Sequence, residues 1–180
     1  MAIRPCRQGD LDSLCGLYAI INATRLALLP SKRMKSADFG HLFDFLVARL
    51  YARRILYETM ADGLSSPGMS WLLSQADGWL EKTFDVSLRY SRPFYRHAAP
   101  RRKVVRSIAK HLSEANTSAI IVVDGDPPDL HWTVVKKVTA ASLILFDGDG
   151  IGRVSLARRK LQSVCLLPCD VYLIMCKLPF

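Results

Sequence analysis

Cys15 stands where a polar, acidic stretch gives way to an apolar run with helical rhythm: RQGDLDSLCGLYAIINAT, Arg7 to Thr24. A thiol attacks a carbonyl carbon only as its thiolate. The unpaired backbone N–H groups in the first turn of a helix favour that charged form. The plainer reading is that cysteine, a small apolar residue, packs well in a helix. Gly16 has no side chain and would let a substrate backbone come close. The Cys15 amide, at a helix start, is a ready oxyanion donor. Gln8 is the natural second donor, because a neutral carboxamide N–H is not neutralised by nearby Asp10 and Asp12.

Such a thiol needs a base. His41 and His111 fall in helical stretches and read as surface or boundary residues, and His97 lies in a loop rich in Pro and Arg, PFYRHAAP. His131 differs from these. It opens a strand, in LHWTVV, directly after the turn DGDPPD. From there an imidazole can reach over a sheet edge toward a helix N-terminus. The next strand ends in LFDGDG. In an antiparallel hairpin the end of the second strand lies beside the start of the first. Asp147 is therefore expected beside His131, where a carboxylate would accept one ring N–H and stabilise the imidazolium. Asp149, deeper in the turn, is the alternative orienter. Asp-Gly pairs also occur in turns for backbone reasons alone.

Gln8, then Cys15-Gly16 at a helix start, then His131-Trp132 opening an apolar strand, then Asp147 closing the next: this ordered set resembles a papain-like cysteine peptidase. It most resembles the small bacterial branch related to the double-glycine leader peptidases of bacteriocin exporters. The likeness runs from Gln8 to near Cys176. It implies an α+β fold, with the cysteine on the N-terminus of a helix packed against a C-terminal antiparallel sheet that supplies the histidine and aspartate. It also implies roles: Cys15 the nucleophile, His131 the general base and then acid, Asp147 the orienting group, Gln8 the oxyanion donor, with no cofactor and no metal. Leader peptidases often carry Asp directly before the cysteine, and Leu14 takes that place here. Residues 36–83 match no substrate-binding motif.

The implied activity is a cysteine peptidase or related thiol hydrolase that cleaves an amide, isopeptide or thioester through an acyl-enzyme. Its substrate would be a protein or peptide. An acyltransferase or transglutaminase-like enzyme would keep the chemistry and replace water by an amine. A third reading is a non-catalytic basic module that binds nucleic acid or protein. With Cys15 so near residue 1, no N-terminal inhibitory segment is expected, so control would fall to substrate access, a regulatory partner or an inhibitor.

These residues need elements to hold them. Asp12 or Ser13 can cap a helix over Ser13 to Leu28, with Leu14, Leu17, Tyr18, Ile21 and Leu28 on its apolar face. Pro30 ends it. A long second helix should run from Ser36 or Asp38 to Asp62-Gly63. Ser66-Pro67-Gly68 reads as a turn, and a third helix as Met69 to Thr83. Val86 to Arg92 alternates like a strand, and Arg101 to Ala115 reads as a basic amphipathic helix. Ala119 to Val123 is a buried strand. His131 to Val138 and Ser142 to Phe146 form a hairpin, DGDG from Asp147 to Gly150 is a tight turn, and Val171 to Cys176 is a last strand. Helices followed by an antiparallel sheet make an α+β chain. Trp71, Trp79 and Trp132 read as packing residues, with a groove as the alternative. Asn22 reads as a helix-surface or helix-contact residue with no role.

The bulk properties suit this picture. The chain has 180 residues, half of them hydrophobic, which is enough for one domain, 1–180, with a sizeable core. No secretory signal and no run long enough to span a bilayer is visible, so a cytoplasmic location is expected. The five cysteines are an odd number and read as reduced thiols. Cys165, Cys169 and Cys176 are too loosely spaced, with no histidine near, for a zinc site to be expected. A net charge of +9 favours an acidic partner: nucleic acid, an anionic membrane surface, or an acidic protein or peptide. The basic residues come in short groups without nucleic-acid motifs, which also fits a solvated surface.

Overall fold

The apolar rhythm after Cys15 folds as a 3.6-residue period requires. Helix α1, Cys15–Leu28, buries Leu17, Ile20, Ile21 and Leu28 along one stripe and carries the small residues Ala19, Ala23 and Ala27 into the same core. This is a computed structural model, and it describes residues 4–7, 13–31, 34–97, 99–124, 130–156 and 165–179. The remaining helices are α2 (Ser36–Ala52), α3 (Leu56–Asp62), α4 (Ser66–Phe84) and α5 (Arg101–His111). The strands are β1 (Ser87–Ser91), β2 (Thr117–Asp124), β3 (Leu130–Val138), β4 (Ser142–Leu145), β5 (Arg153–Ser155), β6 (Cys165–Leu166) and β7 (Tyr172–Lys177).

Several boundaries differ from the sequence expectation. The long second helix is two helices, α2 and α3, parted at residues 53–55. Arg54 sits there at φ 63°, the left-handed region that an L side chain adopts at a cost, and the helical ladder cannot continue through it. Ser66-Pro67-Gly68 is not a turn but the first turn of α4. Proline is tolerated there because its missing N–H would have no helical partner, and the Ser65 hydroxyl caps the turn by accepting from the Gly68 amide at 3.3 Å. Helix α5 stops at His111 instead of Ala115. The short strands β5 and β6 lack the alternating run that marks a strand in sequence.

The sheet runs β1-β7-β2-β3-β4-β5, every pairing antiparallel, with β6 added to the end of β2. β2 lies centrally, and both its faces are buried, so AIIVV is continuous rather than alternating. Ile120 and Val122 face the core shared with α1, α2 and α4. Ala119, Ile121 and Val123 face a second core with Val104 and Ile108 of α5. The N-terminal helices therefore cover one face, and α5, inserted between β1 and β2, covers the other. The first core carries α1 against β2 and β3, which brings the tip of that helix to the end of the sheet where β3 begins. No helix among the described residues is long and apolar enough to cross a membrane.

Candidate active site

Cys15 is the first residue of α1. The cap is Leu14, at φ −84° and ψ 20°, with no side-chain cap bond. Its carbonyl accepts from the amides of Leu17 at 2.9 Å and Tyr18 at 3.2 Å, which closes the first turn. Ser13 is thus not the cap, and Asp12 lies outside the described residues. The correction moves Cys15 closer to the helix end than the spacing suggested, where the partial positive charge of the unpaired amides is greatest. The side chain is buried, with 5% exposure.

Gly16 serves a different need from the one expected. A Cβ on it would come within 2.7 and 2.8 Å of the Leu64 side chain. The open space beside the helix start is therefore filled by Leu64, on the segment joining α3 to α4. Trp132 fixes that segment from the other side by donating its indole N–H to the Leu64 carbonyl at 2.7 Å. Leu64 is a wedge held between the cysteine helix and the residue after His131.

His131 is the second residue of β3, opposite Val123 of β2. Asp147 follows the end of β4 by two residues. The hairpin brings them together as expected: His131 Nε2 and Asp147 Oδ2 are 2.7 Å apart. The register explains the reach. Val135 pairs Leu145, and the Phe146 amide donates to the Val134 carbonyl at 2.8 Å. The ladder ends at the Val135–Leu145 pair, and a bend at Gly148 and Asp149 follows it. Asp149 Oδ2 lies 3.3 Å from His131 Nδ1. Asp147 Oδ1 accepts from the amides of Asp149 at 2.8 Å and Ile151 at 3.4 Å, so the turn and the histidine share one carboxylate.

The electrostatics follow from these contacts. Burial alone would lower the His131 pKa. The hydrogen bond and charge of Asp147, with Cys15 acting in the same direction, outweigh it and raise the value from 6.5 to about 10. For Asp147, burial works upward, but the hydrogen bond and charge of His131 hold it below the ordinary carboxylate value. Cys15, Tyr18, Ala19 and Asn22, spaced along one face of α1, line a cavity of about 10 Å³ with His131 and Asp147. That is space for roughly one water molecule. His131, Asp147 and Asp149 are the one group of metal-type ligands within 4.8 Å among the described residues. The two carboxylates occupy different ring nitrogens, an arrangement suited to holding protons rather than one ion.

Gln8 and the aspartates Asp10 and Asp12 lie outside the described residues. Asn22, expected on the helix surface or at a helix contact and without a role, lies at a contact. It is buried, accepts from the Cys6 amide at 2.8 Å and donates to the Cys6 carbonyl at 3.2 Å. It thereby ties the N-terminal segment, two residues before Gln8, to the cysteine helix. A polar residue on an otherwise apolar stripe was the signal for it in the sequence. Trp132 is buried, while Trp71 lies half-buried beneath the Arg53 guanidinium at 4.6 Å and Trp79 packs against Phe45 and Phe84. His41 and His97 are exposed, and His111 Nε2 bonds the Ile174 carbonyl at 2.8 Å. Cys176 is buried and Cys169 exposed.

No family model and no curated protein sequence matches the chain. Among solved structures it is similar to the peptidase domain of Streptococcus ComA, a bifunctional ABC transporter of a quorum-sensing pathway. The identity is 13% and the TM-score 0.51, over 99% of this chain and 100% of that domain. At that identity the likeness concerns the path of the backbone, and it extends from one end of the chain to the other. The α+β chain accordingly shares its fold with that domain, in keeping with the helix-on-antiparallel-sheet arrangement that the sequence resemblance implied.

Proposed function

We propose that the protein is a cysteine peptidase acting through Cys15, His131 and Asp147. The observation that carries the reading is the meeting of three groups at one small cavity: His131, Asp147 at 2.7 Å from its Nε2, and Cys15 at the N-terminus of a helix. The fold likeness to a peptidase domain supports it independently.

In this mechanism the imidazolium stabilises the Cys15 thiolate, which attacks the substrate carbonyl. The developing oxyanion is met by the Cys15 amide and, by its place in the family pattern, the Gln8 carboxamide. The ring then protonates the leaving amine as the C–N bond breaks. The neutral ring next takes a proton from the water that hydrolyses the thioester, which restores thiolate and imidazolium. Asp147 holds the ring orientation through both steps.

The test is an intact-mass search for a covalent adduct with peptide aldehydes and acyl electrophiles. One adduct on Cys15, absent from Cys15→Ala and lost or greatly slowed in His131→Ala, is the expected result. Equal labelling of all five cysteines would refute it. Product mass with and without an added amine separates hydrolysis from acyl transfer.

A further inference from the structure

Each ring nitrogen of His131 has its own carboxylate, Asp147 at 2.7 Å from Nε2 and Asp149 at 3.3 Å from Nδ1. An ionised carboxylate only accepts hydrogen bonds, and a neutral imidazole has one N–H to give. Asp147 is held ionised by its histidine. Asp149 presents a second carboxylate oxygen to the ring and keeps 38% of its side chain in water. Two such acceptors on two nitrogens are satisfied only by a ring carrying both protons. We infer that Asp149 is a positioning residue that holds the Nδ1 proton of His131 while Asp147 holds the Nε2 proton, so the ring rests as an imidazolium whatever the charge on Cys15.

This rests on the reading of His131 as the proton carrier of a thiol peptidase, and it adds a step to that mechanism. Nδ1 is the nitrogen that Asp147 leaves; Asp149 lies 3.3 Å from it, and Cys15 lines the same small cavity as the ring. While Nδ1–H points at Asp149 the ring accepts no further proton, so in this scheme the cycle starts from the thiolate and imidazolium that the preceding hydrolysis restores. As the ring engages the sulfur, Asp149 gives up that hydrogen bond, and the number of protons on the ring does not change. The Nδ1 proton then passes to the leaving nitrogen as the C–N bond breaks. The lone pair so freed on Nδ1 accepts a proton from the attacking water. Asp149 thereby steadies the charged ring between turnovers and places a second negative charge beside the sulfur. The other polar groups that line the cavity with the ring are Cys15, Tyr18 and Asn22 from α1, Thr133 from β3 and Asp147 from the same loop, while Asp124 follows Val123, the β2 partner of His131, in the strand.

The test uses full-length Cys15→Ala protein labelled with ¹⁵N-histidine, because without the sulfur no thiolate can hold the ring charged. The expected result is that both His131 ring nitrogens stay protonated at pH 8. Adding Asp149→Asn should lower the titration midpoint by about one pH unit or more. Asp149→Glu, which returns the carboxylate, should restore most of that change. The Asp149 amide that braces Asp147 is backbone and remains in all three proteins. A midpoint near 6.5 in Cys15→Ala alone, or one unmoved by Asp149→Asn, would overturn the inference. Neither readout requires turnover, so this result is independent of the adduct search: a Cys15 adduct with an unmoved midpoint removes Asp149 from the mechanism and leaves the peptidase reading intact.

Discussion

Replacing Asp147 by Asn keeps the shape of the side chain and removes its charge, and the consequence can be worked out from the contact itself. His131 and Asp147 meet at 2.7 Å with side-chain exposures of 14% and 2%. Unit charges about 4 Å apart at an effective dielectric of about 20 interact by about 4 kcal/mol. One pH unit corresponds to about 1.4 kcal/mol, so this pairing works upward by roughly three pH units; burial opposes it, and Cys15 adds to it, in the rise of His131 from 6.5 to about 10. A raised folded-state value means that stability from the pair is full below pH 6.5 and is lost as pH climbs toward 10. Asp147 has the opposite sign. Its value is depressed, so its contribution is present above 3.8 and is lost as pH falls through the lower folded value. Urea unfolding at several pH values between 6 and 10 reads the difference. The wild type should lose up to about 4 kcal/mol more than Asp147→Asn across that range. Parallel stability curves for the two proteins would show that His131 is not held charged by Asp147, and the electrostatic argument would fail.

Gly16→Ala should be destabilising by about 1–3 kcal/mol in denaturant unfolding, because the new methyl meets Leu64 at 2.7 Å and that residue is pinned through Trp132. Trimming the wedge with Leu64→Ala in the same protein should recover part of the stability lost to the clash. Asn22→Ala leaves the Cys6 amide and carbonyl without the partner they have at 2.8 and 3.2 Å, a loss of about 1–3 kcal/mol. The same change should loosen the segment leading to Gln8. Proteolysis near the N-terminus should then speed up before global unfolding does, which limited digestion followed by mass spectrometry would measure.

The candidate site was legible to the extent that it depends on local rules. A cysteine at the junction of a polar turn and an apolar helix, a histidine at a strand start and an aspartate at the next strand's end each follow from periodicity and hairpin geometry. The places where the expectation failed share a cause. Arg54 breaks the long helix with a left-handed backbone that no glycine or proline advertises. Pro67 begins a helix instead of a turn, since proline suits both. The cap fell on Leu14, whose side chain carries no capping group.

The amino-acid order by itself determined the α+β class, the apolar face of α1, the two-sided burial of β2 and the hairpin that pairs His131 with Asp147. These are consequences of residue spacing within one element or between neighbours in the chain. Only the tertiary structure decided that the tip of α1 comes to the open end of that hairpin, more than a hundred residues away in sequence. It alone decided that Gly16 is small to admit Leu64, that Asn22 is buried as a clamp on Cys6, and that two aspartates divide the nitrogens of one ring. Contacts between distant segments are selected by how whole helices and strands pack, and the identities of the residues that finally touch carry no local signature of their partner.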